Sequence, residues 1–427
     1  MKIFIIGWFG AGNVGDEAIL LSMLTDIGET LPDTEFTVLS FNAENTAALL
    51  ADNCQVKQIV YFGSKLCVFN SDFVGVWRSL RSADLVIIGG GGLFQDIYNW
   101  YPIPFFTLMT LLAKLLGKQI MFYALGIGPL RTWFGRKLCR LAAGMAGLIS
   151  VRDEESKKLL LDLGIDQDIY ITADPVFALS PAPAERAKEI LAREGVPSDG
   201  QLKVGIAIHE LLPWDKVKKQ ELAHALDELA ERRDASLVFI PFGQYTDSWF
   251  GSELVPPVDL RFSLKMARML THESTVLTGR YTPREVMAIV GQMDLMISMR
   301  LHGLIMATAM GVPAIGLTYR QETKLKNLRP MGQELHILEV NDLEQEQLVL
   351  LLELILTERD FISPHLRERA SVLRQIARRN AKLVSNLGNN TTIREARLSF
   401  YDSGPGSDSI DLSERSGIVI FDDQVVT

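Results

Sequence analysis

The chain has 427 residues, 48% hydrophobic and 22% charged, which is too long for one ordinary core and too apolar for a disordered chain. Two domains of roughly 180 residues each are the starting expectation. The formal net charge of −9 argues against a nucleic-acid partner, since non-specific binding needs a basic surface, but it leaves room for a locally positive cleft.

Cys54, Cys67 and Cys139 are odd in number, widely spaced and outside any C-x-x-C pattern. They fit packing thiols in a reducing cytoplasm rather than a disulfide framework or a zinc site, and no metal or cofactor is expected. The opening Met1–Gly7 is too short an apolar run for a signal peptide and reads as a first strand. The greasiest stretch, Pro102 to Leu116, is cut by Lys114 and falls short of the roughly 20 residues a spanning helix needs.

In chain order, Lys2–Gly7 and Glu35–Phe41 read as strands around a helix at Ala18–Thr30. Leu85–Gly89, Gln119–Ala124, Gly147–Val151 and Ile169–Thr172 are further strands, with helices around Lys114 and Leu138. Strands alternating with helices imply a parallel sheet covered on both faces. Prolines and glycines around one charged helix mark residues 181–200 as a linker after a first domain at 1–180.

A second alternating set follows in 201–388. Its strands are Val204–Ile208, Leu237–Pro241, Thr275–Leu277, Leu295–Ser298 and Ala314–Leu317. Its helices are Lys216–Arg232, Leu260–Leu270, Pro283–Val290 and Leu301–Met310, followed by Leu343–Thr357 and His365–Asn386. The acidic residues 389–427 read as a mobile tail, with Ser416–Phe421 as a candidate edge strand. The expected fold is α/β, with two Rossmann-like domains facing each other across a ligand cleft at the carboxyl ends of their strands.

Four strand ends in the first domain carry chemistry. Gly10, Gly12 and Gly15 make a literal G-x-G-x-x-G between strand and helix, but the second strand ends Leu39-Ser40-Phe41-Asn42 without the carboxylate that a dinucleotide needs. No Lys-Ser or Lys-Thr follows Gly15, so it is not a Walker loop either. What remains is a turn with exposed N–H groups at a helix N-terminus, suited to a polar or anionic ligand. Asn13 and Asp16 are candidate ligand contacts there, although Asp16 could equally serve only as a helix cap.

After the third strand, Gly90, Gly91 and Gly92 follow Gly89, removing side chains where something must approach the backbone closely. Gly126 and Gly128 sit at the next strand end. At the one after it, Arg152 either pairs at the surface with Asp153 or Glu155 or reaches into the cleft to grip a carboxylate or phosphate. In the second domain a buried strand ends at Ser298, and Arg300 and His302 stand where the next helix begins. That position suits an anion, with the imidazole available for proton transfer.

The ordered set GNVGDEAIL (Gly12–Leu20), GGGGLFQD (Gly89–Asp96), LGIGPL (Leu125–Leu130), SVRDEES (Ser150–Ser156), TADPVF (Thr172–Phe177) and MRLHGLIMATAMGVPAIGLTY (Met299–Tyr319) resembles the polysaccharide pyruvyltransferase family. The resemblance covers about residues 1–330. It implies a GT-B-like pair of domains that moves a pyruvyl group from phosphoenolpyruvate onto a cell-surface saccharide or its lipid-linked precursor, forming a ketal. By it, Arg152, Arg300 and His302 are expected to face phosphoenolpyruvate. The family often has Arg-Pro-Trp where this chain has Leu212-Pro213-Trp214, and Tyr-Asp-Pro-Lys where it reads Tyr319-Arg320-Gln321-Glu322. Lys324 or Arg320 would then supply the cation from a shifted position.

Two rivals stay open: a GT-B glycosyltransferase using a nucleotide sugar, and a non-catalytic relative that binds glycans. A cytoplasmic location is expected from the cysteine pattern. Tyr98–Leu116, followed by Arg131, Trp133, Phe134, Arg136, Lys137 and Arg140, reads either as a core helix beside a solvated one or as a peripheral contact with the inner membrane leaflet.

Overall fold

Apolar runs rich in Ile, Val and Phe form strands buried on both faces, as a covered parallel sheet requires. The computed structural model describes residues 1–63, 71–97, 101–197, 200–211, 213–244, 257–319 and 336–388. The first half runs β1 (Lys2–Ile6), α1 (Val14–Thr30), β2 (Glu35–Ser40), α2 (Ala43–Leu49), β3 (Val56–Tyr61), α3 (Phe73–Ser82) and β4 (Leu85–Phe94). It continues α4 (Pro102–Leu115), β5 (Gln119–Ile127), α5 (Trp133–Met145), β6 (Leu148–Val151), α6 (Glu154–Asp162) and β7 (Ile169–Ile171). All seven strands are parallel, in the order β3-β2-β1-β4-β5-β6-β7.

After α7 (Ala184–Arg193) the second half runs β8 (Leu202–Ala207), α8 (Lys216–Arg233), β9 (Ala235–Phe239), α9 (Val258–Ala267), β10 (Ser274–Val276), α10 (Pro283–Val290) and β11 (Leu295–Ser298). It closes with α11 (Leu301–Met310), β12 (Ala314–Thr318), β13 (His336–Glu339), α12 (Gln345–Thr357) and α13 (Arg359–Gly388). Its sheet, also parallel, has the order β10-β9-β8-β11-β12-β13. Both sheets therefore reverse direction beside their first strand, between β1 and β4 and between β8 and β11. Crevices at such switch points are where open α/β sheets hold ligands.

Residues alternate between two cores within the first sheet. Ile3, Ile5, Ile87 and Tyr123 face α1 and α13, while Phe4, Ile6, Ile88 and Phe122 face α3, α4 and α5. The two domains meet through backbone as well as side chains. Val14 N–H donates to Phe242 O at 2.9 Å and Gln244 N–H to Gly12 O at 2.9 Å, joining the loop after β1 to the loop after β9. Helix α13 then crosses onto the first domain, where the wholly buried Asn380 accepts from Ser150 Oγ at 2.7 Å and Thr172 Oγ1 at 3.1 Å.

One sequence expectation is corrected. The four glycines do not form a loop after β4; the strand runs through them to Phe94, and its ladder with β5 continues at Gly89↔Tyr123 and Gly91↔Leu125. Elements α2, β3, α3 and β13 were not foreseen. The tail at 389–427, with the candidate strand Ser416–Phe421, lies outside the described residues.

Candidate functional site

Arg152 follows β6, Asp174 follows β7, and His302 lies in the first turn of α11, so three strand ends from two domains converge. The Arg152 guanidinium donates through Nη1 to Asp174 Oδ2 at 2.8 Å. Its Nε is 3.8 Å from Asp153, whose carboxylate instead caps α6 by accepting the Ser156 N–H at 2.7 Å. The surface-pair reading of Arg152 therefore fails: the side chain is buried and its partner is Asp174.

Asp174 is 1% exposed and also accepts the Val176 N–H at 3.1 Å. His302 Nε2 stands 3.5 Å from the same Oδ2, too far for a well-formed hydrogen bond. That nitrogen is buried and has no hydrogen-bond partner among the described residues. Burial opposes ionisation of Asp174, but adjacent His302 and Arg152, helped by the Val176 N–H, outweigh it and hold the carboxyl well below the usual carboxylate range.

Two glycines make this convergence possible. A Cβ on Gly126 would sit 2.5 Å from Arg152 Nη2, and one on Gly15 would sit 1.9 Å from His302 Nδ1. Gly126 thus clears the path of the guanidinium, and Gly15 lets the second domain's imidazole lie against the first turn of α1. Gly128 has φ +90° and precedes a cis Pro129. Its conformation shapes the β5–α5 loop.

Around the start of α1, Asn13 caps the helix by accepting the Gly15 N–H at 3.1 Å, and its Nδ2 donates to Asp16 Oδ2 at 2.9 Å. Asp16 faces Gly91, where a Cβ would come within 3.0 Å of its Oδ1. A Cβ on Gly90 would meet Ile19 at 2.3 Å, so helix packing alone accounts for that glycine. Gly92 is half-buried within β4. Asn13, Asp16 and Gly91 thus share one edge with the Arg152–Asp174–His302 cluster, joined to it at Gly15. Beside them a cavity of about 150 Å³ opens between the domains, lined by Gly12, Glu17, Asn45, Gln244, Arg280 and Tyr281 among others.

Arg300 makes a separate contact. Its Nε donates to Asp259 Oδ2 at 2.9 Å and its Nη2 to Oδ1, a forked pair on a buried carboxylate that also accepts the Gly243 N–H at 3.0 Å. His209, at the end of β8, lies alongside; burial first and the Arg300 charge second push its pKa down to about 3, so the ring is neutral. Trp214 Nε1–H donates to Tyr319 Oη at 2.6 Å, closing this wall of the second domain. Lys324, Arg320, Glu322 and Leu212 lie outside the described residues.

Sequence reasoning missed Asp174, Asp259, His209 and Glu17. Asp174 lies inside the quoted TADPVF run, but no feature of the run assigns its carboxylate to an arginine 22 residues away. Glu17 is 7% exposed, its Oε1 accepts the Gly10 N–H at 2.7 Å, and its Oε2 has no partner among the described residues. Burial, reinforced by Asp16 and partly offset by the Gly10 and Gly12 N–H groups, pushes its pKa up to about 8.

With a raised folded pKa, the fold keeps the proton while the unfolded chain ionises above its value of 4.5, so stability falls as pH rises towards about 8. Glu17→Gln is therefore expected to raise the melting temperature at pH near 8 and leave it nearly unchanged near 4.5. Thermal melts at both pH values test this, and an equal change at the two would contradict it.

Comparison with known proteins matches residues 13–321 to the family described as polysaccharide pyruvyl transferase. The chain is 21% identical over 361 residues to the amylovoran biosynthesis protein AmsJ of Erwinia amylovora, covering 76% of this chain and 84% of the relative. Among solved structures it is similar to a UDP-GlcNAc 2-epimerase from Methanocaldococcus jannaschii, with TM-score 0.60, 15% identity and coverage of 83% and 93%. It is also similar to the UDP-GlcNAc 2-epimerase from Neisseria meningitidis, with TM-score 0.57, 13% identity and coverage of 91% and 100%. At such identities the likeness concerns the fold: two parallel-sheet α/β domains arranged as in GT-B proteins.

Proposed function

The chain belongs to the polysaccharide pyruvyl transferase family, and from that premise we propose that it moves a pyruvyl group from phosphoenolpyruvate onto two hydroxyls of a saccharide, free or lipid-linked, forming a ketal. The observation that carries the reading is the buried Arg152–Asp174–His302 cluster, which brings an arginine of one domain and a buried imidazole nitrogen of the other to one carboxylate. The relative named for amylovoran biosynthesis supports a polysaccharide setting.

The reaction requires a proton delivered to the methylene carbon of phosphoenolpyruvate, leaving an oxocarbenium-like C2. A sugar hydroxyl forms the first C2–O bond and releases its proton. A second hydroxyl of the same sugar then forms another C2–O bond as the C2–O bond to phosphate breaks, and its proton leaves with the departing inorganic phosphate. His302 serves as the acid or base for these transfers, and the guanidinium groups of Arg152 and Arg300 offset the carboxylate and phosphate charges. The saccharide lies on the first-domain side, towards Asn13, Asp16 and Gly91. The protein works in the cytoplasm.

Thermal melting with phosphoenolpyruvate, and separately with UDP and GDP, tests the donor, because a ligand of the native state raises the melting temperature. The expected result is a rise with phosphoenolpyruvate alone that is lost in Arg300→Ala. A rise with a nucleotide alone would replace this reading with a nucleotide-sugar glycosyltransferase. Glycan binding without any turnover would make the chain a binding protein.

A further inference from the structure

Helices α3, α4 and α5 cover one face of the first-domain sheet, burying Val76, Leu80, Phe106, Met109, Cys139 and Ala142 against it. Their outward side is basic and partly apolar. The three helices carry Arg78, Arg81, Lys114, Arg136, Lys137 and Arg140 and no Asp or Glu, in a chain whose formal net charge is −9. Among these cations stand exposed apolar side chains: Phe73 at 52%, Trp77 at 47%, Leu108 at 49%, Leu115 at 73%, Trp133 at 68% and Phe134 at 44%. Lys137 Nζ lies 4.7 Å from the Trp133 ring centroid, so cation and indole form one unit.

We propose that the α3–α4–α5 face is a docking surface for an anionic lipid bilayer, with Trp77, Trp133 and Phe134 entering the headgroup region and the flanking arginines and lysines meeting lipid phosphates. Charge complementarity selects this occupant. The basic face is attracted to an anionic leaflet that repels the rest of the chain, which fixes the orientation of the protein as well as its affinity. A second copy is disfavoured, because two-fold pairing of this face would set its cations against themselves. Aromatic side chains with a polar tip suit the boundary between headgroups and acyl chains. Among the described residues no helix is long and apolar enough to cross a membrane, so contact on this face is peripheral.

The fold ties the face to the site. Phe73, Trp133 and Phe134 stand at the N-terminal ends of α3 and α5, hence at the carboxyl edge of the sheet where Arg152 and Asp174 also lie. Asp96, just beyond β4, locks the turn that carries Trp133 by accepting the Arg131 N–H at 2.7 Å, the Thr132 N–H at 2.8 Å and the Thr132 hydroxyl at 2.5 Å. The aromatic pair is therefore held on a rigid turn at the edge from which a lipid-linked saccharide would approach. The inference goes beyond the pyruvyl-transfer reading and does not depend on the donor.

The test is co-sedimentation of the full chain with phosphatidylcholine vesicles that contain or lack phosphatidylglycerol, with light scattering of the chain alone. Binding is expected only to the anionic vesicles and should weaken with added salt. Arg136→Gln/Lys137→Gln/Arg140→Gln should lower partition on the order of a hundredfold. Trp77→Ser/Trp133→Ser should lower it by about tenfold or more. Both variants are expected to melt close to the parent, since Trp77, Trp133, Lys137 and Arg140 are exposed and Arg136 is half-buried. Failure to bind anionic vesicles, equal binding to neutral ones, or unchanged partition of both variants would overturn the proposal. So would self-association that the Trp variant abolishes.

Discussion

His302→Ala is expected to lower turnover by about 10²–10⁴-fold at saturating donor, with a much smaller change in KM. The imidazole is placed for proton transfer more than for binding. Its Nε2 is buried, lacks a hydrogen-bond partner among the described residues and lies 3.5 Å from a carboxylate that is itself held ionised. Burying a polar atom without a hydrogen-bond partner costs about 1–3 kcal/mol, and a reactant that exchanges a proton with this nitrogen would supply the partner. His302→Asn separates the two roles: it keeps a polar side chain against Gly15 but cannot relay a proton at the same position, so the melting temperature should recover while turnover stays low. Turnover within threefold of the parent in either variant, with donor binding intact, would remove His302 from the chemistry.

Much of the fold was legible because parallel strands buried on both faces are continuous apolar runs. LMIS at Leu295–Ser298 and the helices Pro283–Val290 and Leu301–Met310 fall where the sequence places them. Residues 43–82 were opaque for the opposite reason. β3 is an edge strand whose VKQIVY leaves Lys57 and Gln58 exposed, and α3 carries Phe73 and Trp77 outwards beside its buried Val76 and Leu80, which blurs its apolar face. The four glycines misled because a strand ends when its ladder ends, and here β5 continues to pair with side-chain-free residues.

In the candidate site, the positions of Arg152, Arg300 and His302 at strand ends could be read locally. Their partners could not. Arg300 is held by Asp259, 41 residues earlier, and Arg152 by Asp174 across two strands. Strand order and domain approach decide such pairs, and neither is written in local periodicity. Likewise, the basic periodicity of α13 says nothing of Asn380 reaching Ser150 in the other domain.

Asp174→Asn is expected to destabilise the protein by about 3–5 kcal/mol at neutral pH, because it leaves the buried Arg152 guanidinium without its counter-charge. Asp174 has a depressed folded pKa, so its contribution is fully present above its unfolded value of 3.8 and is lost as pH falls below that. The gap between parent and variant in urea denaturation should therefore be widest near pH 7 and shrink once pH drops below about 4. Buried ion pairs are seldom better for stability than apolar residues of similar size, and Arg152→Met/Asp174→Leu should recover most of the lost stability. It should not recover turnover, because the arginine and the carboxylate that positions it and faces His302 are both gone. Restored stability with turnover still lost would mean that the pair is retained to hold charges in place for a reactant. Full stability in the single variant would show that Arg152 does not depend on Asp174, and a double variant that regained turnover would deny the cluster any part in the reaction.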